Sequence, residues 1–166
     1  MAVTDELLKA NEAYAKGFTQ GNLPMPPARK LAVVASMDAR LVPSQILGTM
    51  NGDIHVIRNA GGIVTEDALR SLLISHYLLG TQEFMIINHT DCGMLTFKDE
   101  DLLARLQGET GTAAVAPNLF YAFDDLEKNV RRQIQKVKSH PWIPKNVPVR
   151  GFIYDVKTGR LHEVAA

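Results

Sequence analysis

The segment Lys30–Arg40, with the sequence Lys-Leu-Ala-Val-Val-Ala-Ser-Met-Asp-Ala-Arg, decides the fold of this chain. Its first six residues form a short, continuous apolar run, which is typical of a strand buried on both faces of a parallel sheet. A second run of this kind, Glu83–Asn88, leads directly into the sequence His-Thr-Asp-Cys-Gly at 89–93. Candidate catalytic or metal-binding residues therefore follow two predicted strands, at the point where each strand ends.

Outside these two segments, strand and helix patterns alternate along the chain. Three further strands are predicted, at 54–57, 149–155 and 161–164, with a hairpin-like turn through 157–159 between the last two. Four helices are predicted, over 4–16, from a Thr65 cap to Leu79 before Gly80, over 99–106, and from an Asp124 cap to Val137. Small residues over 108–117 predict a loop. The pattern predicts an α/β fold, with a mostly parallel central sheet flanked by helices and an antiparallel final strand at an edge.

The N-terminal segment 1–28 has a different character from residues 29–166. Leu7, Ala10 and Tyr14 recur at helical spacing, whereas Gly21–Pro27 contains too much proline for a helix or a central strand. We expect an N-terminal helical arm that lies outside the chain's own core. Residues 29–166 are expected to form a single α/β catalytic domain.

Composition and charge narrow the class of protein. Of the 166 residues, 46% are hydrophobic and 22% are charged, as in ordinary soluble domains. Eighteen basic and 18 acidic residues balance to zero net charge, which gives no electrostatic case for binding nucleic acid or an anionic membrane. The single cysteine, Cys92, excludes an intrachain disulfide. The acidic N-terminus does not resemble a signal peptide and no apolar run suits a membrane helix, so we expect a cytoplasmic location.

The residues that follow the two buried strands could form one site. His89 and Cys92 offer an imidazole and a thiolate, which is half of a zinc site, or else a strand-end histidine and a buried thiol. Asp38 and Arg40 could be a carboxylate oriented by a guanidinium, or a structural ion pair. Cys92 could also act as a nucleophile, although no dedicated base is spaced to support that role. Ligand sites in such sheets collect at the carboxyl ends of strands, so we expect the two loops to meet.

The segment Arg58–Gly62, with the sequence Arg-Asn-Ala-Gly-Gly, follows the strand at 54–57 and precedes the helix capped by Thr65. Its two glycines allow a close backbone approach, either in a simple strand-to-helix turn or in a loop that contacts substrate. The spacing lacks the pattern and the lysine of a phosphate-binding loop, so a nucleotide site is rejected.

Taken together and in order, Met-Asp-Ala-Arg, Val-Ile-Arg-Asn-Ala-Gly-Gly and His-Thr-Asp-Cys-Gly resemble the motifs of the β-class carbonic anhydrases. The resemblance covers most of the chain and is closest to the short bacterial members, whose third motif continues as Cys-Gly-Met-Leu-Thr-Phe. It implies zinc as the cofactor, held by two cysteines and one histidine beside an Asp-Arg dyad. By position, His89 and Cys92 match two ligands, and Asp38 and Arg40 match the dyad. Gly93, through its N–H, and Gly61 are the expected substrate-binding residues.

The first zinc-ligand cysteine of that pattern falls on Ser36. A cysteine has a pKa of about 8.5 and loses its proton readily to zinc, whereas a serine hydroxyl stays neutral and is a poor ligand. Ser36 could be an engineered substitution that disables the site, a natural departure with an altered or absent metal, or a working ligand. Zinc binding is therefore expected to be weak or absent, unless Asp38 or water fills the gap.

The resemblance implies reversible hydration of carbon dioxide to bicarbonate, impaired here by Ser36. Two alternatives stay open: hydrolysis of carbonyl sulfide or carbon disulfide on the same fold, and a metal-poor, non-catalytic oligomer that binds a small anion. Family members form dimers in which the N-terminal helix crosses onto the partner. We therefore expect residues 1–28 to pack on a partner subunit in a homodimer or a larger assembly.

Overall fold

A five-stranded sheet organises the chain, of which the computed structural model describes residues 2–165. The strands are β1 (Leu31–Ser36), β2 (Ile54–Asn59), β3 (Glu83–His89), β4 (Val149–Tyr154) and β5 (Leu161–Val164). Their order across the sheet is β2-β1-β3-β4-β5, with β1 to β4 parallel and β5 antiparallel to β4 at one edge. The predicted α/β fold is confirmed, including its antiparallel edge strand.

In the described part of the chain, five helices connect or precede the strands. They are α1 (Val3–Lys16), α2 (Pro43–Ile46), α3 (Glu66–Leu79), α4 (Asp99–Thr110) and α5 (Leu126–Lys138). The predicted ends of α3 are confirmed, because the Thr65 side chain accepts the Ala68 N–H and Gly80 adopts a left-handed backbone. There are also two short 3-10 turns. Ala60–Gly62 directly follows β2, and Gly93–Leu95 lies between β3 and α4.

Two of the predicted helix boundaries are wrong. Asp125, rather than Asp124, caps α5, because its side chain accepts the Lys128 N–H at 2.9 Å. Spacing alone does not distinguish two adjacent aspartates. Helix α4 continues to Thr110, and the loop begins at Gly111, whose left-handed backbone ends the helix.

The core lies on both faces of β1 because successive side chains of a strand point to opposite faces. Ala32 and Val34 pack with residues of α3 and α5, whereas Val33 and Ala35 pack with Leu41 and the segment that follows it. These four residues of β1, 32–35, are fully buried, as the continuous apolar run predicts. Because residues 32–35 are buried on both faces, a ligand site on β1 has to use residues at or beyond the end of the strand.

The N-terminal segment contributes little to this core. None of the α1 residues is buried within the described chain, and the side chains of Val3, Leu7, Leu8 and Tyr14 are exposed. The proline-containing arm joins the domain at its end, where the Ala28 N–H donates to Gly52 O at 2.9 Å. Met1 and Ala166, the outer limits of the two expected segments, lie outside the described residues. Within residues 2–165, no helix has the length and apolar character needed to cross a membrane.

Candidate active site

The loops that follow β1 and β3, which carry the candidate site residues, meet because these two strands are parallel neighbours. The register pairs Ala35 with Ile87, so Ser36 and His89 both lie at the carboxyl edge of the sheet. Their side chains are in contact, with Ser36 Oγ 3.1 Å from His89 Nε2. The residues are 53 positions apart in sequence, and the parallel register alone brings them together.

The hydrogen bonds of His89 define the role of the Ser36 hydroxyl. His89 Nδ1 lies 2.8 Å from Thr90 O, and a carbonyl oxygen can only accept, so Nδ1 is the donor in this contact. In the imidazole tautomer with its proton on Nδ1, Nε2 is an acceptor and the Ser36 hydroxyl donates to it. The same hydroxyl accepts the Asp38 N–H at 3.3 Å. Ser36 therefore occupies the lone pair that His89 would offer to a metal.

Asp38 and Arg40 form the paired carboxylate and guanidinium expected from their spacing. Arg40 Nε donates to Asp38 Oδ1 at 3.0 Å, and Arg40 Nη2 donates to Asp38 Oδ2 at 2.8 Å. Arg40 Nη1 also donates to Asp91 Oδ2 at 2.8 Å, which links the two loops directly. These hydrogen bonds from Arg40 hold the pKa of Asp38 well below its usual range. Asp38 is therefore an ionised acceptor at neutral pH, with Oδ2 3.7 Å from His89 Nε2.

Arg58 is a positioning contact that the sequence reasoning missed. From the end of β2, its Nε donates to Ser36 O at 2.9 Å and its Nη2 donates to Asp38 O at 2.7 Å. The Arg58 guanidinium thus holds the backbone on both sides of Met37. The only signal in sequence was an arginine at the end of a strand, next to the glycine turn.

Cys92 lies in an apolar environment beside the polar residues. It is 5% exposed and packs with Ile63, Met94 and Phe123. Burial raises the pKa of its thiol, so the protonated form prevails at neutral pH. In this state Cys92 is a weak nucleophile, since the thiolate is the reactive form.

The glycines of the two loops have different surroundings. Gly61 adopts a φ of 79°, and a Cβ placed there would lie 2.9 Å from the Met94 side chain, on the Cys92 side of the site. Gly62, the second of the two glycines expected to allow a close backbone approach, lies against the backbone of Ser36: a Cβ there would be 2.9 Å from Ser36 N. Gly93 opens the 3-10 turn that follows Cys92.

The donor set of this site does not fit a resident zinc ion. Within residues 2–165, no group of three or more His, Cys, Asp or Glu side chains could hold a metal ion. His89 Nε2 contacts the Ser36 hydroxyl, the Asp38 carboxylate is held by Arg40, and Cys92 is the single thiol of the chain. Ser36, at the expected third ligand position, adds a neutral hydroxyl where zinc prefers a thiolate.

Comparison with known proteins identifies the class of enzyme. The family model described as carbonic anhydrase matches residues 31–161, which is most of the chain. The chain therefore belongs to the carbonic anhydrase family.

Individual relatives narrow this to the β class. The chain is 47% identical over 165 residues to Beta-carbonic anhydrase 1 of Mycobacterium tuberculosis, covering 99% of each protein. It is 32% identical to a carbon disulfide hydrolase of Acidithiobacillus thiooxidans, covering 97% of this chain and 90% of that protein. Among solved structures, the carbonic anhydrase of Streptococcus mutans superposes with a TM-score of 0.93 at 41% identity, covering 99% of both chains.

Proposed function

We propose that the reaction of this chain is the reversible hydration of carbon dioxide to bicarbonate, and that Ser36 holds the site in a form in which that reaction is slow. Family membership supports the reaction class. The proposal that Ser36 slows the reaction rests on the hydrogen bond between Ser36 Oγ and His89 Nε2. This contact within the protein takes the place of a metal–ligand bond.

The remaining polar groups suit the addition of water to a small, linear substrate. Asp38 is kept ionised by Arg40, so its carboxylate can accept a hydrogen bond from a water molecule and orient that water. The Gly93 N–H is the proposed donor to a substrate oxygen, and Gly61 shapes the wall near Met94. In this proposal Asp38 and Arg40 are the catalytic pair, and Ser36 stands in the place of the third metal ligand beside His89 and Cys92.

The substitution Ser36→Cys tests this proposal, with Ser36→Ala as the matched control. We expect Ser36→Cys to purify with close to one zinc per chain by elemental analysis, because it restores the missing thiolate. Its kcat/KM for carbon dioxide hydration should exceed that of the parent chain by at least about 100-fold. Ser36→Ala frees His89 Nε2 without supplying a ligand, so it should stay close to the parent chain in both measurements. Equal zinc content and equal rates in the parent chain and Ser36→Cys would contradict the proposal.

A second candidate is hydrolysis of carbonyl sulfide or carbon disulfide. It is favoured by the carbon disulfide hydrolases among the relatives, which share the fold at lower identity. The two reactions are distinguished by giving the Ser36→Cys variant carbonyl sulfide or carbon disulfide and measuring the sulfide released, beside its rate of carbon dioxide hydration. Bicarbonate binding without turnover of any of these substrates would instead identify the third alternative, a non-catalytic oligomer that binds anions.

We also propose that α1 and the proline-containing arm pack on a partner subunit in a homodimer or a larger assembly. The support is the exposure of Val3, Leu7 and Tyr14 along one side of a helix without buried residues of its own in the described chain. Isolated helices of this length are marginal in water, so such a helix needs a surface to pack on. Replacing Leu7 by Glu should lower the molar mass measured by light scattering. An unchanged mass, or a monomeric parent chain, would refute this packing.

A further inference from the structure

Three buried side-chain amides connect α5 to the turn that follows β2. They belong to Asn88 on β3 and to Asn129 and Gln133 on α5, and none is more than 3% exposed. Val64 N donates to Gln133 Oε1 at 2.9 Å, and Gln133 Nε2 donates to Asn129 Oδ1 at 2.8 Å. Asn129 Nδ2 then donates to Asn88 Oδ1 at 2.7 Å, and Asn88 Nδ2 donates to Gly62 O at 3.2 Å. We call this chain of hydrogen bonds the amide relay. It begins at Val64 and ends at Gly62, so both of its ends lie on the same turn, Gly62–Val64.

The direction of the amide relay is determined by its two ends. The Val64 N–H can only donate and the Gly62 carbonyl can only accept, so each of the three amides has a single orientation that satisfies its neighbours. Removing one amide would leave a buried donor and a buried acceptor without partners, which is unfavourable. The relay is therefore a rigid connection between α5, β3 and the turn.

The turn held by the amide relay lies against the site. At Gly62 the backbone has a φ of 63°, and a Cβ there would be 2.9 Å from Ser36 N and 3.0 Å from Ile87 O. Such proximity means that the turn cannot shift without displacing the end of β1. On the other strand, Asn88 directly precedes His89. The relay thus reaches both of the strand ends whose side chains meet in the site.

The turn is also braced from within, so the amide relay acts on a stiff unit. Asn59 Nδ2 donates to Ile63 O at 2.7 Å, and Ile63 N donates to Asn59 Oδ1 at 2.8 Å. Together, Asn59 and the relay hydrogen-bond to backbone groups of three successive residues, Gly62, Ile63 and Val64. A displacement imposed by α5 would therefore move the whole turn.

We propose that Asn129 and Gln133 are positioning residues for the active site. Through Asn88 and the Gly62–Val64 turn they set the separation of residue 36 from His89, although neither belongs to the site itself. This inference rests on the proposed function, because it assigns the two residues a role in that reaction.

The first test reads the site directly and needs no catalytic activity. In protein labelled with 15N-histidine, the Nε2 signal of His89 reports the hydrogen bond from Ser36. We expect Gln133→Met, which keeps the length of the side chain but removes its amide, to shift this signal. Ile134→Val changes the adjacent buried residue of α5, which makes no polar contact through its side chain, and should leave the signal in place. The proposal is overturned if the signal is unchanged in Gln133→Met, or if it moves equally in both variants.

Two further variants separate positioning from folding and from the proposed reaction. Gln133→Glu keeps an acceptor for Val64 N–H and, in its ionised form, replaces the donor to Asn129 by a carboxylate oxygen, so it should still shift the His89 signal if Gln133→Met fails to fold. Added to Ser36→Cys, Gln133→Met should lower kcat/KM for carbon dioxide hydration about tenfold, whereas Ile134→Val should change it less than about twofold. If Ser36→Cys is itself inactive, the proposed function fails while the His89 signal still decides the role of the relay.

Discussion

Gly62→Ala tests how closely the turn packs against the site. The φ of 63° places the new side chain in the left-handed region, which destabilises a non-glycine residue by about 1–2 kcal/mol. The added Cβ would also lie 2.8 Å from Asn88 Nδ2 and 2.9 Å from Ser36 N, closer than normal contacts allow. Overpacking of this kind costs about 1–3 kcal/mol. The two effects together predict a loss of about 2–5 kcal/mol in the free energy of unfolding.

Gly80→Ala provides the matched control for this prediction. Gly80 has a φ of 74°, but a Cβ there would meet nothing within 4 Å, so only the backbone effect of about 1–2 kcal/mol applies. Urea unfolding at one fixed protein concentration measures both variants, since oligomers unfold in a concentration-dependent way. Gly62→Ala should lose more free energy of unfolding than Gly80→Ala. Each additional kcal/mol corresponds to a further fall in Tm of about 2–4 °C. Equal losses in the two variants would refute the close packing of the turn against Ser36.

Three other predictions concern acid stability, helix capping and metal dependence. Burial alone would raise the pKa of Asp99, but backbone N–H groups of residues 120–122 donate to its carboxylate and lower the pKa overall. The stability advantage of the parent chain over Asp99→Asn should be complete above about pH 4 and shrink as the pH falls through the lowered pKa, as measured by urea unfolding. Asp125→Ala should reduce stability by about 1 kcal/mol, whereas Asp124→Ala should have little effect, because only Asp125 caps α5. A chelator should leave the Tm of the parent chain unchanged but lower that of zinc-loaded Ser36→Cys; a chelator-dependent Tm in the parent chain would contradict our description of the site.

Local sequence patterns predicted most of the fold. The continuous apolar runs at 30–35 and 83–88 correspond to β1 and β3, and Thr65 and Gly80 mark the ends of α3. These predictions succeeded because burial on both faces and helix capping leave strong local signals. The cap of α5 and the end of α4 were predicted incorrectly because neighbouring residues offered equivalent signals.

The candidate site was only partly predictable. The meeting of the two loops followed from parallel topology, and the Asp38–Arg40 pair followed from spacing. The contacts of Arg58 and the amide relay could not be found in the same way, because they join residues far apart in sequence. For example, Asn129 and Asn88 are 41 residues apart, and neither forms part of a recognisable motif.

The sequence by itself determined the alternation of strands and helices, the family motifs and the serine at the position of a zinc ligand. These features depend on residue type and short-range order, which are present in the chain before it folds. Only the tertiary structure decided what Ser36 does there. In a parallel sheet the neighbour of Ser36 comes from a distant segment, and the direction of its hydrogen bond depends on Thr90 O fixing the proton on His89 Nδ1.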